Sequence, residues 1–150
     1  MKIITTENIE EARKLIEKTS KEGKQVIVQG SSIDFNRILL ENKRVNMLIL
    51  LHTNKKDRLK QRDSGLNHVL CNIAKTNNIT LAIDFTEIEN EKNKKSRALI
   101  LGRIRQNIKL MKKAKCKLKI INFNQENKRE IFSLLLTLGA DTKLAEEAVS

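Results

Sequence analysis

The chain of 150 residues has no tryptophan, no tyrosine, no proline and only four phenylalanines. Proteins that read unpaired bases stack them on aromatic rings, so this composition argues against a stacking platform. Cysteine is almost as scarce: Cys71 and Cys116 stand alone, far from any CxxC spacing. That excludes a disulfide framework and favours two small buried hydrophobes in a reducing compartment. The only histidines are His52 and His68, with no HExxH and no clustered Asp and His, so a metal centre is not expected. Neither GxSxG nor a phosphate-cradling glycine loop occurs. No apolar run approaches the ~20 residues needed to cross a bilayer. The opening MKIITTENIEEARKL carries acids early and lacks an apolar signal core, so the expected location is the cytoplasm, with no membrane partner.

Acid is the last absence. Between Lys92 and Gln125 there is no Asp or Glu, yet twelve Lys and Arg. The rest of the chain balances eighteen cations against eighteen acids, so this one segment holds the whole net charge of +12. Solvation alone seldom concentrates an excess in this way, and a polyanionic partner is implied. With so few aromatics, the charge suits a phosphate backbone or the shape of a folded RNA better than base identity.

Short β-branched or Leu-rich runs alternate with runs of helical period along the chain. Strands are expected at about 2–5, 25–29, 46–51, 79–85 and 118–123, and helices at about 7–22, 33–43, 65–77, 95–114, 126–138 and 142–149. The strand runs are nearly continuous in apolar residues, as when both sheet faces are covered. Repeated strand–helix units predict parallel strands with right-handed crossovers. Five units are too few for an eight-stranded barrel. An open five-stranded sheet and a barrel lacking some units read alike here, the latter leaving open edges. With no linker, repeat or low-complexity tract, residues 1–150 are expected to form a single α/β domain.

Three basic features stand out. On the 95–114 helix, Leu101, Ile104, Ile108 and Met111 form an apolar stripe flanked by Ile100 and Leu110. Arg97, Arg103, Arg105, Lys109, Lys112 and Lys113 are assigned to a cationic face with no acid four residues on to relieve it. Next, KKDRLKQR at 55–62 sets Lys55, Lys56, Arg58, Lys60 and Arg62 in a connection after the third strand, at the strand end where α/β folds gather ligands. The third is RDSGLNHVL at 62–70. Asp63 or Ser64 can cap a helix there, Gly65 permits close backbone approach, and free amides offer an anion site. Leu66, Val69, Leu70 and Ile73 read as that helix's buried stripe, with Asn67 and His68 off it. Asp84 and Glu87, near a strand's carboxyl end, are the one candidate acid pair.

RDSGLNHVLCNIA resembles the RKD(S/P)G(I/L)(N/D)HVL segment of archaeal ribonuclease P protein component 3, a relative of the eukaryotic thirty-kilodalton subunit. The resemblance continues through the 79–85 strand and the basic helix to REIFSLLLTLGADTKLAEEAVS. It implies a TIM-like barrel, here incomplete, because by motif the chain begins at about the family's third strand. Thr86–Glu87 stand where the family has Arg-Pro after its fourth strand. What the resemblance implies in function is a noncatalytic, RNA-binding subunit of ribonuclease P, the ribonucleoprotein that removes the 5′ leader from precursor tRNA with metal ions bound by its RNA. Implied partners are the ribonuclease P RNA, the ferredoxin-like component 2, other ribonuclease P proteins and, indirectly, precursor tRNA. No cofactor is implied for the chain itself, the magnesium belonging to the RNA. Arg62, Asp63, Gly65, Asn67 and His68 match the family motif, and Arg37, after the second strand, carries over as well. The competing readings are a metal-dependent phosphoesterase on a similar barrel, which needs a His/Asp cluster, and a generic basic nucleic-acid-binding α/β protein.

Overall fold

The structure, a computed structural model, describes residues 2–53 and 64–150. The apolar runs form five strands: β1 (Ile3–Ile4), β2 (Ile27–Gln29), β3 (Met47–Leu50), β4 (Thr80–Asp84) and β5 (Leu118–Ile121). Between and after them lie α1 (Ile9–Lys21), α2 (Ile33–Leu40), α3 (His68–Thr76), the short α4 (Thr86–Glu89), α5 (Lys94–Ala114), α6 (Lys128–Thr137) and α7 (Thr142–Val149). Each strand lies within the run expected to form it, and most helix bounds shift by no more than three residues. The single-turn α4 and a 3-10 turn at Gln125–Asn127 were not expected, both being too short to show a period.

All four strand pairings are parallel, and the strand order across the sheet is the order along the chain. A doubly wound sheet reverses direction at a switch point; this one never does. Right-handed crossovers that always step the same way place every helix on one face. The core divides accordingly. One register row, Ile4, Val28, Leu48, Leu81 and Leu118, belongs to the large cluster that includes the apolar residues of the helices. The opposite face holds a smaller cluster of Ile27, Met47, Ile49, Ala82 and Ile121 with Ile3, drawn from strands alone. This is the wall of a TIM-like barrel. Among the described residues β1 and β5 do not pair, so the wall is an open arc.

α5 decides what this arc presents. Its 21 residues span about 31 Å, roughly twice the ~17 Å of the longest strand. Asn93 caps it, its side chain accepting from the N–H groups of Lys95 and Ser96 at 3.0 and 3.1 Å. Ile100, Ile104, Ile108 and Met111 bury one side against the core. At the far end Lys115 takes a left-handed conformation, φ 59°, and the chain turns into β5.

Candidate nucleic-acid interface

Arg105, Lys109, Lys112 and Lys113 all point to solvent on α5. They recur at four- and three-residue steps, which puts them on one ridge of the helix. None of them has a carboxylate partner among the described residues. The ridge is thus a row of unneutralised charge. Lys115 and Lys119 are exposed beyond it, and Lys117 donates to Asn78 Oδ1 at 2.9 Å. Arg97 is exposed but tethered, its guanidinium donating to the Ile88 carbonyl at 3.1 and 3.3 Å and tying α5 to α4. Arg37 is exposed on α2 and forms a pair with Glu41 at 3.0 Å.

Arg103 requires a correction. The sequence reading placed it on the cationic face; it is only 5% exposed, and its Nη1 donates to the His52 carbonyl at 3.0 Å. The reason is helical geometry. Residues 100, 104, 108 and 111 define the buried side, and 103 and 107 fall between them. Two polar side chains therefore enter the core from the same helix, and Asn107 is fully buried.

These two belong to a buried polar network at the carboxyl end of the sheet. His52, two residues past β3, is fully buried. Its backbone N–H donates to the Glu87 carboxylate at 3.0 and 3.3 Å. Asn107 Nδ2 lies 2.9 Å from His52 Nε2 and donates to the Ser64 carbonyl at 3.0 Å. An amide nitrogen only donates, so Nε2 accepts and the ring proton sits on Nδ1. Nδ1 is 3.3 Å from Glu87 Oε2 but out of line for a hydrogen bond, and with Asn107 Oδ1 it stays unsatisfied. Gln106 Nε2 donates to Ser64 Oγ at 3.3 Å. From the other side, Asn36 donates to the Gly65 carbonyl and accepts from the Ser31 N–H, both at 2.8 Å.

Here the RDSGLNHVL segment acquires a shape. Lys55, Lys56, Arg58, Lys60, Arg62 and Asp63 lie outside the described residues. Ser64 and Gly65 are buried, and Gly65 has φ +75°, the left-handed region that glycine tolerates best. The helix starts at His68, three residues later than expected, and its cap is Asn67, whose Oδ1 accepts from the Leu70 N–H at 2.9 Å. Ser64 does not cap: its hydroxyl donates instead to the Leu66 carbonyl at 3.3 Å. Leu66 and Leu70 are buried as expected, whereas Val69 is 39% exposed and Ile73 only half-buried, because the buried side of the helix runs through Leu70, Cys71 and Ala74. His68 is exposed beside Val69. Asp84 and Glu87 do not face each other as an acid pair. Asp84 accepts from the Thr86 N–H and hydroxyl at 2.9 and 2.6 Å, and Glu87 serves His52.

Among the described residues no three of His, Cys, Asp or Glu come together as a metal-binding group. Sequence reasoning overlooked Asn36, Ser64 and Asn107 as a set. Only Asn107 left a readable signal, an amide within the apolar stripe at helical spacing from Arg103 and Met111.

Comparison with known proteins follows the same lines. No family model matches the chain. It is 30% identical over 110 residues, 73% of its length, to Ribonuclease P protein component 3 of Methanococcus maripaludis strain C7. To the protein of that name from Methanothermobacter thermautotrophicus it is 25% identical over 153 residues, 99% of the chain. It spans 44% and 60% of the length of these two relatives. Among solved structures, a chain of archaeal ribonuclease P with mature tRNA, determined by cryo-electron microscopy, superposes with a TM-score of 0.75. The match has 24% identity and covers 97% of this chain and 62% of that one. This likeness confirms the barrel-wall fold.

Proposed function

We propose that this chain, a relative of archaeal ribonuclease P protein component 3, is an RNA-binding protein subunit of ribonuclease P. The carrying observation is the solvent-facing ridge of Arg105, Lys109, Lys112 and Lys113, unrelieved by any acid between Lys92 and Gln125. In this reading the cations neutralise phosphates of the catalytic RNA and hold its fold, and leader removal from precursor tRNA is done by magnesium ions bound to that RNA. The chain supplies no cofactor, works in the cytoplasm, and docks with component 2 and the other protein subunits. Contacts of this kind read backbone and shape, which suits a protein without Trp or Tyr.

The test is reconstitution. Ribonuclease P RNA and component 2 are assayed on precursor tRNA, with and without this chain, across a magnesium titration. The expected outcome is cleavage at lower magnesium when the chain is present. Unchanged cleavage throughout the titration would leave only a basic α/β domain with affinity for nucleic acid. A contact set of about five to eight phosphates predicts a log–log salt slope of roughly −4 to −7 for RNA binding.

A further inference from the structure

We propose that Cys116 and Cys71 are a thiol–disulfide exchange site: Cys116 reacts with a small anionic disulfide drawn into a cationic cavity, and Cys71 displaces the bound half. The chemistry is independent of any bound RNA. Cys71 stands on α3 and Cys116 on the connection from α5 to β5, 45 residues apart in the chain. Folding brings them together. The Cys116 Sγ lies 3.3 Å from the Cys71 carbonyl oxygen, to which it donates as a thiol. The two thiols are also within hydrogen-bonding reach of each other, and both cysteines are free.

Their surroundings differ. Cys71 is fully buried, whereas Cys116 is 5% exposed and lines a cavity of about 430 Å³ between the end of α5, the chain entering β5 and the first turn of α7. Four lysines line the same cavity, Lys112, Lys115, Lys117 and Lys143, against two acids, Asp141 and Glu147. None of the four is paired with a carboxylate among the described residues. The cavity therefore carries an excess of positive charge, which raises the local concentration of a small anion. The attacking species in exchange is the thiolate. A hydrogen bond from the Cys71 thiol, helped by the Lys75 ammonium, holds the Cys116 thiol below its ordinary value despite its burial. The same contact, with burial, pushes Cys71 up. The cysteine beside the cavity is thus the one set to attack, and the one behind it keeps its proton until the second step.

Atoms and electrons balance over two exchanges. The Cys116 thiolate attacks one sulfur of the small disulfide, whose S–S bond breaks, and one thiolate leaves. Cys71 then attacks the Cys116 sulfur, its proton passing to the departing second thiolate. The protein gives up two hydrogens and two electrons, and the reagent takes them up as two free thiols. The new bond spans the 45 residues between the cysteines, which include β4, α4 and all of α5. Such a cross-link stabilises by constraining the unfolded chain.

The test applies dithiobis(nitrobenzoate), a disulfide with two carboxylates, to the folded full chain, with the uncharged dithiodipyridine as its counterpart. The wild type should release both nitrothiolate equivalents. Mass spectrometry should then find the chain lighter by two hydrogens, without adduct, and a peptide map should contain the Cys71–Cys116 bond. The thermal midpoint of this product should rise and return to its starting value with reductant. Cys71→Ser should release one equivalent and retain the adduct on Cys116, with Cys71→Ala in its place should serine disturb the core. Cys116→Ser should stay unreactive until urea unfolds it. Lys115→Gln with Lys143→Gln should slow the anionic reagent by about tenfold and leave the uncharged one unchanged. A wild-type chain that keeps its adduct, or that reacts only once unfolded, overturns the exchange site. Equal slowing of both reagents by the lysine substitutions overturns the part played by the cavity.

Discussion

Gly30 shows how closely the polar network is fitted to the backbone. Its N–H donates to the Ile49 carbonyl at 2.8 Å as β2 ends. A Cβ placed there would lie 2.6 Å from Asn36 Oδ1 and 3.0 Å from the Ile49 carbonyl oxygen. The first contact can be relieved only by moving a side chain that holds both Ser31 and Gly65, and the second only by moving a strand. Gly30→Ala should therefore destabilise the fold by about 1–3 kcal/mol, the range for overpacking a well-filled site. A urea titration would show it as a lowered midpoint at unchanged slope. An unaltered midpoint would mean that Asn36 does not hold the position described. At this scale the sequence was least legible. Asn36, Ser64 and Asn107 have residue types common on surfaces, and nothing in their spacing reveals that Asn36 meets Gly65 across 29 residues of chain and Asn107 meets Ser64 across 43. Arg103 was misread because an arginine among lysines looks like a face of charge until the neighbouring turn shows which side is buried.

α3 makes a comparable point about elements. Three residues of RDSGLNHVL have side chains able to cap a helix, and the sequence favoured Asp63 or Ser64. Tertiary packing decides otherwise: Gln106 and Asn107 draw Ser64 into the core, Gly65 turns with positive φ, and Asn67 becomes the first residue free to cap. Asn67→Ala should then cost about 1 kcal/mol. His68→Ala, one residue on and exposed, should change stability by no more than about 0.5 kcal/mol. Thermal unfolding of the two variants beside the wild type distinguishes them, and equal losses would return the cap to another residue. The longer elements were legible because they combine two signals. The β-branched and Leu runs that became β2 to β5 are bounded by polar residues, and the α5 stripe, from Ile100 to Met111, repeats over about three turns. α4 has four residues, too few for any period, and what holds it is the pairing of its Glu87 and Ile88 with His52 and Arg97.

For the whole molecule, an arc with every helix on one face leaves α5 turned outward with its charged ridge uncovered. The chain's other cation-rich helix, α1, is a natural control. There Arg13 pairs with Glu10 at 3.3 Å and Lys21 with Glu17 at 3.1 Å, and the Lys21 ammonium holds the Glu17 carboxyl below its usual range. Replacing Arg105, Lys109 and Lys112 with Glu takes the net charge from +12 to +6. Replacing Lys14, Lys18 and Lys21 with Glu does the same, so any effect of the overall field is matched between the two variants. The α5 triple should lose affinity for structured RNA on the order of 100-fold at physiological salt, at ~1 kcal/mol or more per lost charge-assisted contact. Its salt slope should flatten by about 2–3, from three phosphate contacts at 0.7–0.9 each. The α1 triple should keep the wild-type slope, and its affinity should fall only modestly, because screening confines charges that touch nothing to about 8 Å. Equal losses in affinity and slope would mean that binding follows net charge rather than the face of α5. In that case the acid-free segment from Lys92 to Gln125 would be a composition effect with no bearing on where RNA sits.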